Sequence, residues 1–263
     1  MRPFFLNHAG RRLFCAHWPA TAPAPSRPGI LLLPPLFEDV NQVRSFHGRL
    51  ARRFAASGGE VLQCDVSGTG DSSGEFVAAR WTAWCEDLAA AAAWLGERCD
   101  VLHLVAVRGA ALHVAALLAV AGSRVRGLRL VAPTVTGEAA VNEFLRIRVA
   151  RSLFEGRRES VASLRERLAA GETVEIGGYE LAGALAGDLQ ALSLDAAMLE
   201  NLDDVRLVDA AGTAAQLDAW WLAVEAVRPG ARRTSLDVEL AWSVERPEPA
   251  PGVLDAVMDG WAA

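Results

Sequence analysis

The residues best placed to do chemistry are Ala106-Val107-Arg108-Gly109-Ala110. They follow the apolar run Leu102-His103-Leu104-Val105 and precede Ala111–Ala119, which has helix-forming composition. Strand, sharp turn and helix in that order is the layout in which G-x-S-x-G presents a nucleophilic serine. Here the central position is an arginine. A Ser-His-acid triad laid out this way takes its histidine after the last strand, as the general base. The five histidines are His8, His17, His47, His103 and His113, so none follows residue 113 and Ser243–Pro251 contains none. Nucleophile and base are therefore missing together.

Other candidates are weaker. Ser72 and Ser73 lie in the glycine-rich stretch Asp65–Gly74, where hydrogen-bonding a tight loop is the expected role. That stretch has neither the G-x-G-x-x-G spacing nor the lysine of a phosphate cradle. Cys64 ends a strand without a partner of known position, and Asp209 closes a later strand without a histidine to orient. The cysteines Cys15, Cys64, Cys85 and Cys99 match no C-x-x-C pattern and read as reduced thiols in or near the core. No metal or cofactor is expected.

The elements around these residues alternate. Strands are predicted at Leu13–Trp18, Gly29–Leu33, Glu60–Cys64, Leu102–Val107, Val125–Val131 and Val205–Asp209, with a last one at Leu236–Trp242. Helices are predicted at 46–56, 81–95, 111–119, 214–226 and 253–261, the first two from apolar residues at helical spacing. Continuous apolar strands alternating with helices predict an α/β fold, a doubly wound, mostly parallel sheet covered on both faces. Sites in such sheets form beyond the carboxyl ends of the strands. That gathers Pro34–Asn41, Asp65–Ser72, Arg108 and Pro133–Gly137 around one expected crevice. From Glu138 to about Leu199 the pattern is mostly helical, in the position of a lid. The expected division is a core of 1–133 and 201–263 with a helical cap insertion at 134–200.

Composition bounds the rest. The chain has 263 residues, 52% hydrophobic and 22% charged, enough for a sizeable core. The net charge is −6 and every one of the 26 basic residues is arginine, which argues against a nucleic-acid binder. No run approaches the ~18 apolar residues of a membrane span. The N-terminus has no apolar signal core, so a cytoplasmic protein is expected. Oligomeric state is not legible.

The chain resembles the α/β-hydrolase superfamily and, within it, the exosortase A system-associated hydrolase 2 family. The resemblance rests on Glu38-Asp39-Val40-Asn41, Gly68–Gly74, the elbow at Arg108, Phe144–Arg148, Leu168–Thr173 and Gly178–Leu181. Members of that family often carry His-Pro where this chain has Pro34-Pro35. The resemblance implies a bacterial protein of an exopolysaccharide and protein-sorting system, and its label implies hydrolysis. Fold alone does not settle function. Two readings follow. One is a hydrolase or acyl-transfer enzyme working with non-standard residues around Arg108, Glu38, Asp39 and Asp71. The other is a catalytically inactive relative that binds a small-molecule or anionic ligand, or a partner protein, with Arg108, Glu38, Asp39, Asn41 and Asp71 as ligand-binding candidates. Arg108 itself either closes the old site as an ion pair with Glu38 or Asp39, or holds a ligand carboxylate or phosphate bidentately.

Overall fold

A computed structural model describes residues 1–23, 26–121, 124–210, 215–237 and 252–261. Its main sheet is built from β1 (Arg2–His8), β2 (Arg11–Trp18), β3 (Pro28–Leu32), β4 (Glu60–Cys64), β5 (Val101–Val107), β6 (Val125–Val131), β9 (Asp204–Ala210) and β10 (Arg232–Leu236). The spatial order is β1-β2-β4-β3-β5-β6-β9-β10. β1, β2 and β4 pair antiparallel, and from β4 onward every pair is parallel. The doubly wound, mostly parallel sheet is thus present. β1 is an addition to the predicted elements; it forms a hairpin with β2 through Ala9-Gly10, both at positive φ. Of the strand expected at Leu236–Trp242, residues 238–242 lie outside the described residues, as does Ser243–Pro251.

Both faces of the sheet are buried, and alternate residues of each strand serve the two faces. Leu31, Leu33, Leu104 and Ala106 point into one apolar layer with α2 (Trp81–Gly96), α3 (Leu112–Ala121) and α7 (Ala215–Val227). Ile30, Leu32, Val105 and Val107 point into the other, where Phe46, Leu50 and Phe54 of α1 (Asp39–Ala56) meet Val253, Val257 and Trp261 of and beside α8 (Val253–Met258). Trp84, Leu88 and Leu95 are buried on α2, so the tryptophan stripe belongs to the core.

Between β6 and β9 the chain passes through residues 134–200, which hold α4 (Gly137–Phe154), α5 (Val161–Ala169), a hairpin of β7 (Thr173–Ile176) and β8 (Tyr179–Ala182), and α6 (Gly183–Gln190). The hairpin departs from the mostly helical expectation. Val174, Ile176 and Leu181 alternate inward, a short period-2 signal masked by the flanking glycines and glutamates. Five arginines of this region, Arg148, Arg151, Arg157, Arg165 and Arg167, are held in ion pairs. Arg148 meets Glu159 at 2.7 Å and Glu175 at 3.6 Å, and Arg151 meets Glu155 at 3.0 Å. Among the described residues no helix is long and apolar enough to cross a membrane.

Candidate functional site

The elbow forms where the sequence places it. β5 ends at Val107 in extended geometry, Arg108 has φ +52°, and a 3-10 turn over Arg108–Ala111 leads directly into α3. A non-glycine residue at positive φ is strained by about 1–3 kcal/mol and persists only where its surroundings over-determine it. Two contacts do so here. Thr134 donates its backbone N–H to the Arg108 carbonyl at 3.1 Å. Gly109 packs so tightly that a Cβ there would stand 3.0 Å from Leu36 Cδ1.

The Arg108 side chain reaches two carboxylates. Its Nε donates to Asp39 Oδ2 at 2.7 Å, and its Nη2 donates to Glu143 Oε2 at 3.3 Å. Asp39 is the first residue of α1, seven residues earlier than the apolar periodicity placed that helix. A carboxylate there is also favoured by the helix dipole. Glu143 comes from α4. Burial works against the Arg108 charge, but Asp39, through charge and hydrogen bond, and Glu143 outweigh it and raise its pKa above the ordinary arginine value. Desolvation raises the Glu143 carboxyl; Arg108 offsets part of that and Asp39 adds to it.

These three residues line a cavity of about 280 Å³ together with Glu38, Leu36 and Phe144. Phe37, at φ +56°, stacks on Phe144 with ring centroids 3.9 Å apart. A second cavity, about 120 Å³, opens on the other side of Leu36 and Phe37, which line both. The single crevice expected from the sequence is therefore two. Arg108, Glu38 and Asp39 share the first. Asn41 lines the second; its amide donates to Glu38 Oε2 at 3.2 Å. Asp71 lines neither. Its backbone N–H donates to Asp65 Oδ2 at 3.2 Å, which turns the loop back and leaves the Asp71 side chain exposed.

No protein-family model matches the chain, and no curated protein matches it in sequence. Solved structures do match in shape. Est1E from Butyrivibrio proteoclasticus, determined with ferulic acid bound, aligns with a TM-score of 0.62 at 12% identity over 89% of this chain and 88% of that one. Mouse alpha/beta hydrolase domain-containing protein 10 aligns at 0.58 and 16% identity over 91% and 90%. A bromoperoxidase from Bacillus anthracis aligns at 0.58 and 14% identity over 89% and 91%. The chain has the α/β-hydrolase fold.

On that fold, the remaining candidates for catalysis are all engaged elsewhere. Ser72 Oγ accepts from Phe14 N at 2.8 Å and donates to the Asp65 carbonyl at 2.6 Å; Ser73 Oγ accepts from Arg12 N at 2.9 Å. Both serines tie the glycine loop to β2. Cys64 is buried opposite Cys15, and its side-chain hydrogen bond with Cys15, which favours the protonated thiol, together with burial, pushes its pKa well up. Asp209 is fully buried, accepting from Arg233 Nε at 2.9 Å and Ser235 Oγ at 2.7 Å on β10. Among the described residues no cluster of histidine, cysteine and carboxylate could hold a metal.

Glu143 is the functional residue that sequence reasoning missed. The signal was available: Ala140, Glu143, Phe144 and Ile147, at i, i+3, i+4 and i+7 of α4, all line the Arg108 cavity. One acidic residue on such a stripe marks a charge facing a partner. Tyr179 was missed as well. Its hydroxyl donates to the Phe37 carbonyl at 3.2 Å and ties the β7–β8 hairpin to the strained loop.

Proposed function

We propose that this chain is a ligand-binding member of the α/β-hydrolase fold that does not hydrolyse through a nucleophilic serine. One observation carries the reading: the residue at the elbow is an arginine held by Asp39 at 2.7 Å and Glu143 at 3.3 Å. A guanidinium is protonated at all physiological pH values and cannot attack a carbonyl. Displacing it would leave two carboxylates facing each other across the cavity. The absence of any histidine after residue 113 supports the same reading. Ligand binding falls to the cavity of about 280 Å³, whose walls combine Leu36, Phe37 and Phe144 with Arg108, Asp39 and Glu143. A small molecule fits better than a bare anion, because an anion would meet both carboxylates already on the guanidinium. Residues 134–200 serve as the cap of this site, with Glu143 as their charged contact to the elbow. The resemblance to the exosortase A system-associated hydrolase 2 family supports a role beside exopolysaccharide production in a bacterial cytoplasm.

The test is labelling with a serine-directed fluorophosphonate, in parallel with turnover of short acyl esters. Neither should give signal above a denatured control. Stoichiometric labelling at any serine, with ester turnover, overturns the reading in favour of a non-standard hydrolase.

A further inference from the structure

The Arg108 cavity carries more negative charge than its ion pairs use. Among the described residues its wall holds three carboxylates, Glu38, Asp39 and Glu143, and one guanidinium, Arg108. Asp39 and Glu143 each give the guanidinium a single oxygen, Oδ2 and Oε2, so Asp39 Oδ1 and Glu143 Oε1 are left over from the pairing. Glu38 accepts from the Asn41 amide, which is neutral and cancels no charge. Arg146 does not line the cavity and is the weakest influence on Glu143. Burial and Asp39 raise the Glu143 carboxyl in spite of both arginines, so its charge is short of positive partners.

These charges are within reach of a ligand. The side chains of Arg108 and Glu143 are 32% and 45% exposed, so what enters the cavity from solvent can touch them. The rest of the wall is largely apolar, with Leu36, Phe37, Ala140, Phe144 and Ile147. Ile147 is 46% exposed, so an organic body lying there removes apolar surface from water. The volume of about 280 Å³ is well above the roughly 150 Å³ that holds a benzene ring, which leaves room for a ring and a short polar arm.

We propose that the ligand of the Arg108 cavity is a small organic cation, a primary ammonium on an apolar body, with its ammonium on the Asp39 and Glu143 carboxylates and its body against Phe144 and Ile147. The inference rests on the ligand-binding function proposed above and names the chemical class that the cavity takes. Arg108 holds together two carboxylates that would otherwise repel, so that one ammonium can meet both. The guanidinium repels an ammonium, but it brings one charge against three of opposite sign. An anion would face those three carboxylates, and a neutral molecule would gain nothing from them.

The experiment uses the intact protein at neutral pH with three probes of similar size: benzylamine, a cation; benzyl alcohol, neutral; and benzoate, an anion. Affinity is read by titration calorimetry, and location from the backbone amide resonances of Gly109 and Thr134, which line the cavity. Benzylamine should bind about tenfold more tightly than benzyl alcohol and should shift both resonances saturably, and benzoate should bind least. Added salt should narrow the preference, and Glu143→Gln, which removes a charge and keeps the shape, should narrow it several-fold. If benzyl alcohol or benzoate binds as tightly as benzylamine, the cation is overturned and the ligand-binding function stands. The cation site is likewise overturned if benzylamine binds without moving Gly109 and Thr134, or if Glu143→Gln keeps the full preference. If none of the three binds at millimolar concentration, both fall. The comparison of the three probes in the unaltered protein decides the matter even if the variant does not fold.

Discussion

Arg108 Nε and Asp39 Oδ2 meet at 2.7 Å across 69 positions of sequence, joining the turn after a central strand to the first residue of a helix on the neighbouring loop. The pair occupies the place where an α/β-hydrolase fold would carry out nucleophilic attack. It ties that turn to the first turn of α1.

Restoring the nucleophile alone should not restore chemistry. Arg108→Ser places a hydroxyl at the elbow, yet no histidine follows residue 113 to take its proton. The variant should show no ester hydrolysis above the parent protein, measured with short acyl esters. A gain of even tenfold would mean that another group acts as base.

The tie should contribute to stability unequally at its two ends. The side chains of Arg108 and Asp39 are 32% and 23% exposed, so Asp39→Ala, which leaves a partly buried guanidinium with its nearest partner gone, should cost about 1–3 kcal/mol. Glu143 is 45% exposed and its bond is longer, so Glu143→Gln should cost less than about 1 kcal/mol. Urea unfolding measures both. Equal losses would show that the two carboxylates share the charge evenly.

Acid should destabilise the fold through its buried histidines. Burial, with Arg44 adding to it, lowers His47 to about 3; burial lowers His113 to about 3; burial and Arg129 lower His103 to about 4. Their unfolded value is about 6.5. Above it, both states are neutral and stability is flat. Below it, the unfolded chain takes up protons that the folded chain refuses, so stability falls until the pH reaches the folded values. Each histidine contributes roughly 1.4 kcal/mol per pH unit in that window. Tm should hold steady above about pH 7 and drop steeply between pH 6 and pH 4. His113→Phe should reduce the slope by about a third; an unchanged slope would show that His113 is protonated in the folded protein.

The most damaging substitution away from the site should be Arg129→Ala. This side chain is fully buried on β6, donates to Asp204 Oδ2 at 2.5 Å and to the Val257 carbonyl at 3.2 Å, and lies 4.1 Å from the Trp261 ring centroid. Burial, only partly offset by Asp204, lowers its pKa to about 10, a sign of how little water reaches it. Removing it leaves Asp204 to Arg206 alone, at 3.2 Å, and unseats α8, at a cost of about 3 kcal/mol or more. Arg129→Met fills the same space and should cost less in the same thermal or urea measurement. A harmless Arg129→Ala would mean that α8 is held by its apolar contacts alone.

What the sequence determined by itself was local and periodic. Ile30–Leu33 and Leu102–Val107 read as buried strands because a strand covered on both faces has no polar side, and α2 reads as a helix because Trp81, Trp84 and Leu88 recur at helical spacing. The elbow, the arginine at its centre and the absence of a histidine after residue 113 were legible because they depend on order along the chain. Only the tertiary structure decided which carboxylates meet Arg108. Glu143 lies 35 positions away and Asp39 lies 69 away, and Glu38, equally plausible by spacing, is bonded instead to Asn41. It also decided that Leu36 and Phe37 divide the crevice, because the positive φ of Phe37 and its stack on Phe144 belong to a loop and a helix with no shared periodicity. A strand or helix is specified by neighbours a few residues away, whereas an ion pair or a cavity wall is specified by whatever the packed core brings within a few ångströms.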